Sequence, residues 1–328
     1  MVDGWYVADS QFPADPMARL VYYARLAPST HNSQPWKFVA SASEIDVIAD
    51  LERWRRVADS DRRELHVSLG CAIESLRIAA DFAGWGSEVS YFPVEHEESL
   101  VARVRILMKT VKREDSAADL LRHMVKRHTS HRLFDPAKPV SKIDRKRLYT
   151  CLQTSDVSLL YLEQRHALDA LVAIEMRADT ALFANPEYRA ELARGIGDGA
   201  LGTSWLLSKL GQLAIGHLPA AERVKHKDAE LLSSSPLVGL LTTRYDRRID
   251  QLHAGEAFVR IALVAEAHDI RVQPLSQILE VPETRAEVAK VFDLGERVAQ
   301  HLFRLGHAQP EERQYARRPI GELLIRAD

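Results

Sequence analysis

The sequence predicts an α+β protein in which one arrangement of helices and short strands occurs twice. Three observations carry this. Apolar residues recur at three- and four-residue spacing in some stretches and alternate over five or six residues in others, so helical and strand periods are both present. The helical stretch from His253 to Ile270 lies on the first long helix without a gap, which sets Gly255 on Gly70, Phe258 on Ile73, Ile261 on Leu76, Val264 on Ala79 and Ala265 on Ala80. Upstream, Arg147-Leu148 and the helix to Gln153 match Arg19-Leu20 and the helix to Ala27, and the extended Val157–Leu162 matches the strand at Trp36.

Taken in order, residues 1–15 form an arm holding Trp5, Tyr6 and Phe12. Pro16 suits a first helical position, and Leu20, Tyr23, Ala24 and Ala27 continue on one face. Pro28 cannot continue the helix and opens a polar loop. Trp36–Ala40 and Glu44–Ala49 alternate or run apolar, as two short strands do. The polar Asp59–Arg63 leads into a helix over 66–83, whose stripe is Ala72, Ile73, Leu76, Ala79, Ala80 and Ala83. Gly84-Trp85-Gly86 closes it, and strands follow at Glu88–Pro93 and Ala102–Met108. The repeat sets a first half at 1–110 and a second at 111–328, with an insertion at about 180–230 that has no counterpart in the first.

Composition narrows the function. With 328 residues, 46% hydrophobic and 27% charged, the chain has enough apolar material for a sizeable core. Its net charge of −2 lacks the footprint of a dedicated nucleic-acid binder. The amino terminus has neither a basic nor an apolar leader region, no uncharged apolar run approaches membrane-spanning length, and a cytoplasmic protein is expected. Cys71 and Cys151 fall in helical stretches and read as small buried hydrophobes.

Two polar stretches carry chemistry. Ala27-Pro28-Ser29-Thr30-His31-Asn32-Ser33-Gln34-Pro35-Trp36 is dense in side chains that both donate and accept, suited to a flat heteroaromatic edge as well as to an ordinary turn. It occurs once; the second half has only Thr154-Ser155-Asp156 in its place. Lys126-Arg127-His128-Thr129-Ser130-His131-Arg132-Leu133-Phe134 packs cations and hydroxyls together. These groups grip a phosphate, through charge-assisted bonds of about 1.5–3 kcal/mol each, and equally dress a helix C-terminus. Arg317-Arg318-Pro319 adds a basic spot near the carboxyl end.

Together these stretches resemble the nitroreductase-like FMN flavoproteins, and most of all the Acg-type branch, in which two such units are fused in one chain. The loop at Pro28–Trp36, the segment His128, Ser130, Arg132 and Phe134, the core helix occurring twice and the closing Arg318 carry the resemblance, with His128 standing where the usual residue is Arg. It implies a nitroreductase-like pseudo-dimer of antiparallel or mixed sheets flanked by helices, with one FMN per chain and one degenerate site. It implies that Ser130 and Arg132, helped by Arg127, His128, Thr129 and Arg318, hold the FMN phosphate. Pro28, Ser29, Thr30, Asn32 and Gln34 would lie along the flavin, with Pro274, Leu275 and Ser276 against the ring. The implied activity is hydride transfer from NAD(P)H to an electron-poor small molecule, with no catalytic side chain required. A protein that stores FMN under a lid is the alternative, and residues 195–226 are the candidate lid. Oligomeric state stays open between monomer and homodimer.

Other motifs lack context. Gly197–Gly202 has dinucleotide-loop spacing but follows a charged helical stretch rather than a strand. His123, His128 and His131 have no carboxylate or cysteine at ligand spacing. Ser204 lacks the glycines of a nucleophile elbow.

Overall fold

The computed structural model describes residues 4–110, 115–197, 219–309 and 316–326. The chain runs α1 (Pro16–Ala24), β1 (Trp36–Ala40), β2 (Glu44–Ala49), α2 (Arg63–Phe82), β3 (Trp85–Tyr91), β4 (Leu100–Thr110), α3 (Asp115–Met124) and α4 (Lys142–Thr150). It continues through β5 (Val157–Leu162), α5 (Arg165–Ala184), α6 (Pro186–Gly197), α7 (Pro219–Ser233), β6 (Leu237–Thr243), α8 (Arg248–Ala267) and β7 (Arg271–Pro274). The last elements are α9 (Gln277–Glu280), α10 (Pro282–Val291), β8 (Val298–Gly306), α11 (Ile320–Leu323) and β9 (Leu324–Arg326).

Local chemistry explains several boundaries. Asp15 caps α1 by accepting from the Ala18 amide, with Pro16 behind it, and the helix stops at Ala24, short of the Ala27 expected from its stripe. The long helix α2 starts three residues before the expected 66, because the Asp59 carboxylate accepts from the Glu64 and Leu65 amides at 2.8 and 2.9 Å. Cys151 caps α4 rather than lying within it, and both cysteines are free thiols. In β1 and β2 the alternation buries Trp36, Phe38, Ile45 and Val47 on the core face.

The two sheets repeat one strand order. The five-stranded sheet reads β3-β4-β2-β1-β9 and the four-stranded sheet β7-β8-β6-β5, antiparallel throughout except for β9, which runs parallel to β1. Where β1 and β2 are joined by a tight turn, their counterparts β5 and β6 are separated by residues 163–236, which hold α5, α6 and α7. Of the candidate lid at 195–226, residues 198–218 lie outside the described residues, as do Gly199, Gly202 and Ser204 of the dismissed motifs. The insertion is tied to the first half, since Glu191 on α6 accepts from the Val57 and Ala58 amides.

Between the sheets α2 and α8 pack directly, and their contact is reciprocal. A methyl group at Gly70 would meet the Leu252 carbonyl oxygen at 2.0 Å, and one at Gly255 would meet the Val67 carbonyl oxygen at 2.0 Å. Leu252 stands three residues before Gly255, as Val67 does before Gly70. The glycines therefore bring two backbones together about a local two-fold relation, in the register read from the sequence.

Near this axis lies a buried ionic group. Tyr91 on β3 donates to Glu256 on α8 at 2.5 Å, while Glu74 pairs with Arg77 at 2.8 Å and with Arg260. Burial, then the Glu74 charge, pushes the Glu256 carboxyl up to about 8 from an ordinary 4.5, against the Tyr91 hydrogen bond, Arg77 and Arg260. The folded protein thus holds a proton that the unfolded chain releases between pH 4.5 and about 8. This group's contribution makes stability fall as pH rises through that window, by at most about 1.4 kcal/mol per pH unit, and then level off. Glu256→Gln is expected to remove that slope, so that the melting temperature of the variant gains on the parent from acid to mildly alkaline buffer. A constant difference across the window would contradict it.

Candidate functional site

The polar loop is strained and braced. His31, Asn32 and Gln34 sit at φ of 50°, 51° and 50°, in the left-handed region where non-glycine residues are uncommon. Ser29 Oγ accepts from the Gln34 amide at 3.0 Å, Arg53 donates to the Ser33 carbonyl at 3.1 Å, the Thr30 amide donates to Ser68 Oγ at 3.2 Å, and further bracing comes from the far end of the chain. Asn32 Nδ2 donates to the Ala316 carbonyl, and Gln34 Oε1 accepts from the Arg318 amide, each at 2.9 Å. Arg317 donates to the Leu26 and Ala27 carbonyls and to Asn32 Oδ1, at 2.9–3.0 Å. Arg318 donates to the Gln34 and Trp36 carbonyls and pairs with Asp50 at 3.1 Å.

A cavity of about 1240 Å³, counted out to its open mouth, lies beside this loop. Pro28, Ser29, Thr30 and Asn32 form one wall; Arg127 and Thr129 reach it from the stretch after α3; Pro274, Leu275 and Ser276 enter from the end of β7. Residues about a hundred positions apart in sequence thus share one hollow. A small recess beside it takes in His128 together with Arg127, Thr129 and Pro274. Arg127 also follows the C-terminus of α3, where its amide donates to the His123 carbonyl, so the cationic stretch closes a helix and lines the cavity at once.

Besides His128, which lies in the recess, four expected site residues are not in the wall. Gln34 is buried behind the loop, its amide committed to Ala316 and Arg318. Arg318 itself is drawn away by Asp50, and burial lowers its pKa; Arg317 is the arginine that lines the cavity. Ser130 is buried, its amide donating to the Val272 carbonyl at 3.2 Å. Arg132 is exposed outside the cavity, and what it offers inward is its carbonyl oxygen. In sequence all four look alike to their neighbours, because a hydrogen-bonding side chain does not disclose whether it faces a ligand or the backbone.

The structure adds residues that sequence reasoning missed. Glu64, on the first turn of α2, lies in the cavity wall and is almost fully buried. Burial by itself would raise its pKa, but Arg63 at 2.5 Å, His301, and the Thr30 hydroxyl at 2.8 Å together hold it far below the usual carboxylate range. Ser276 Oγ donates to the same Glu64 oxygen at 3.2 Å, so one carboxylate joins the polar loop to the segment after β7. Cys71 also faces the cavity, but burial raises its pKa and its thiol donates to the Gly255 carbonyl. Glu175 on α5 and Asp228 and Leu231 on α7 bring the insertion into the wall. Beneath, Arg304 on β8 is fully buried and donates to Gln273 Oε1 and the Arg132 carbonyl, both at 2.6 Å, and to the Leu231 carbonyl at 3.0 Å. The Arg63-Glu64 order in a charged stretch was the one visible signal; a lone arginine in the apolar run of β8 offered none.

The position related to this cavity by the 185-residue offset has different side chains. The 185-residue offset between Gly70 and Gly255 also relates Tyr91 to Ser276, and the Tyr91 phenol there reaches Glu256. Asp156, in the short stretch replacing the polar loop, lies 3.9 Å from His253. Among the described residues there is no group of three or more side chains able to hold a metal, and no helix long and apolar enough to cross a membrane.

No protein-family model matches the sequence. The chain is similar to a Mycobacterium tuberculosis (strain ATCC 25618 / H37Rv) protein named "Putative NAD(P)H nitroreductase", 27% identical over 319 residues that cover 92% of this chain and 88% of that one. A second protein of the same strain, named only as uncharacterized, is 25% identical over 328 residues, covering 93% and 91%. Over a shorter span of 85 residues, 26% of each chain, it is 32% identical to the "Putative NAD(P)H nitroreductase acg" of that strain. Among solved structures, the FMN-dependent nitroreductase NfnB from Mycobacterium smegmatis, in complex with NADPH, overlaps 60% of this chain and 90% of its own, with 17% identity and a TM-score of 0.42.

Proposed function

We infer that this chain, similar over nine-tenths of its length to proteins named as NAD(P)H nitroreductases, is an FMN-dependent oxidoreductase that passes a hydride from NAD(P)H to an electron-poor small molecule, such as a nitroaromatic or a quinone. The observation that carries this reading is the single cavity walled by the polar loop and by the Arg127-Thr129 stretch together.

The donor set fits FMN. Arg127, Thr129 and His131 offer cations and a hydroxyl for a phosphate, and Arg317 stands at the loop edge. The Pro28–Asn32 loop and the Pro274–Ser276 segment offer amide, hydroxyl and apolar surface for a planar ring. FMN supplies the hydride-transfer chemistry when bound. The chain's own residues bind and orient it, and Glu64 fixes the two ring-side segments against each other. With Tyr91 and Asp156 standing at the related position in place of Ser276 and the polar loop, each chain takes one FMN, between halves 1–110 and 111–328 acting as a pseudo-dimer.

Storage of FMN beneath the insertion is the second reading, favoured by Glu175 and Asp228 in the wall. The visible spectrum of the purified protein followed by anaerobic NADPH separates the two. Enzyme function predicts rapid bleaching of one bound flavin per chain, whereas flavin left oxidised for hours favours storage, and a colourless protein that takes up no FMN removes both. Arg127→Ala is expected to weaken FMN at least about tenfold, the value of one charge-assisted bond, and Arg132→Ala less than about threefold. The reverse ranking, read by flavin fluorescence titration, would return the phosphate to Arg132.

A further inference from the structure

Glu280 ends the short helix α9, four residues beyond the Ser276 of the cavity wall. Its side chain is fully buried, and neither carboxyl oxygen has a hydrogen-bond partner among the described residues. An unpaired buried carboxylate is costly enough that the group neutralises instead. Burial is the main cause here, reinforced by Glu64 on α2 and Asp59 before it and, to a lesser degree, by Asp179 on α5; Arg63 opposes them, and the Tyr188 phenol of α6 faces the same carboxyl. Glu280 therefore stays a neutral acid. Next to it on the cavity side is His31, whose Nε2 lies 4.0 Å from Glu280 Oε1 and which itself lines the cavity.

We propose that Glu280, acting through His31, supplies the proton that accompanies the hydride when the electron acceptor is reduced. This rests on the oxidoreductase reading above. Reduction of a quinone needs one hydride, whose electron pair comes ultimately from NAD(P)H through the cofactor, and one proton to complete the two hydroxyls of the product. In the proposed step His31 Nδ1–H breaks as an O–H bond forms on the acceptor, and His31 Nε2 takes the proton of Glu280 as the carboxyl O–H breaks. The carboxylate left behind is reprotonated from water. The 4.0 Å gap is closed by a small swing of the imidazole or by one bridging water. Glu64 cannot take this role, since it is ionised and already accepts from Thr30 and Ser276. Glu280 is a positioning and proton-storing residue; His31 is the group that meets the acceptor.

Two measurements test this. Infrared difference spectra of the protein without FMN, near neutral pH, should show a protonated-carboxyl C=O band that Glu280→Gln removes. For the FMN-loaded protein, reduced anaerobically with NADPH and mixed with 1,4-benzoquinone, Glu280→Gln is expected to slow flavin reoxidation on the order of a hundredfold at neutral pH. The deficit should shrink as pH falls and solvent supplies the proton, and it should fall on reoxidation rather than on reduction by NADPH. His31→Asn, which keeps a side chain tolerant of positive φ, should show the same loss, and the double variant no more than either alone. Absence of the carboxyl band, or parental reoxidation rates in Glu280→Gln, would overturn the proposal. A protein that binds no FMN is detected at the loading step and overturns the oxidoreductase reading, and the relay with it, while the infrared band still reports the acid.

Discussion

Replacing Arg304 with methionine is expected to strip the protein of bound FMN and to destabilise it by about 3–5 kcal/mol, the usual cost of breaking a buried, fully bonded charged network. The guanidinium joins three segments: Gln273 on β7, the Leu231 carbonyl on α7, and the Arg132 carbonyl in the stretch that carries Arg127 and Thr129. Its face also lies 3.9 Å from the Phe134 ring centre. Methionine keeps much of the apolar volume but takes the Arg304 donor from the Arg132 carbonyl and Gln273 Oε1, a loss of about 1–3 kcal/mol for each buried acceptor left unpaired, while the Leu231 carbonyl keeps the Ser234 and Ser235 hydroxyls. Arg304→Lys keeps the charge without the planar fork and should fall between. Urea unfolding measures the first effect and flavin fluorescence the second. Full FMN affinity in a destabilised Arg304→Met protein would mean that the cationic stretch does not depend on this anchor.

Gly70→Ala is expected to destabilise the protein by at least about 3 kcal/mol, the upper end of overpacking costs, and Gly255→Ala by a similar amount. Helix propensity points the other way, since alanine in a helix interior is favoured over glycine by about 1 kcal/mol. Packing wins because the new methyl would sit 2.0 Å from a carbonyl oxygen of the facing helix, and backbone cannot step aside as a flexible side chain does. One substitution parts the helices where the other glycine also needs them close. The double variant should therefore cost clearly less than the sum of the two. Differential scanning calorimetry of the four proteins measures this, and a stabilised Gly70→Ala would contradict the reading of that contact.

How much of this was legible in the sequence follows from what a one-dimensional pattern records. Periodicity located β1, β2, β5 and the two central helices, because each carries apolar residues at the spacing of its own backbone period. It also placed Gly255 on Gly70, the pair that the structure sets in reciprocal contact. The strands β6 and β8 were not drawn from the sequence: both are buried along nearly their whole length, β8 with Gln300, His301 and Arg304 inside as well, so neither shows an apolar-polar alternation. Of the proposed cofactor contacts, those reached through short local stretches, such as Pro28–Asn32 and Pro274–Ser276, lie in the cavity wall. Gln34, Ser130, Arg132 and Arg318 do not: Gln34, Ser130 and Arg318 bond to backbone groups supplied by the fold, Arg318 to Asp50 as well, and Arg132 is exposed with its carbonyl held by Arg304, while His128 lies in the recess beside the cavity. Arg304 and Glu280 were invisible for the opposite reason, each being a charged residue whose neighbours in sequence say nothing of what surrounds it in space.

The brace on the polar loop has a consequence for the order of assembly. Ala316, Arg317 and Arg318 hold residues 26–36, and β9 then adds to the edge of β1 in register with Phe38, Val39 and Ala40. During synthesis the loop leaves the ribosome nearly three hundred residues before its brace, and its three left-handed residues have until then little to hold them in place. The cavity is therefore completed last, and a nascent chain long enough to build both sheets except β9 still lacks a finished place for the flavin.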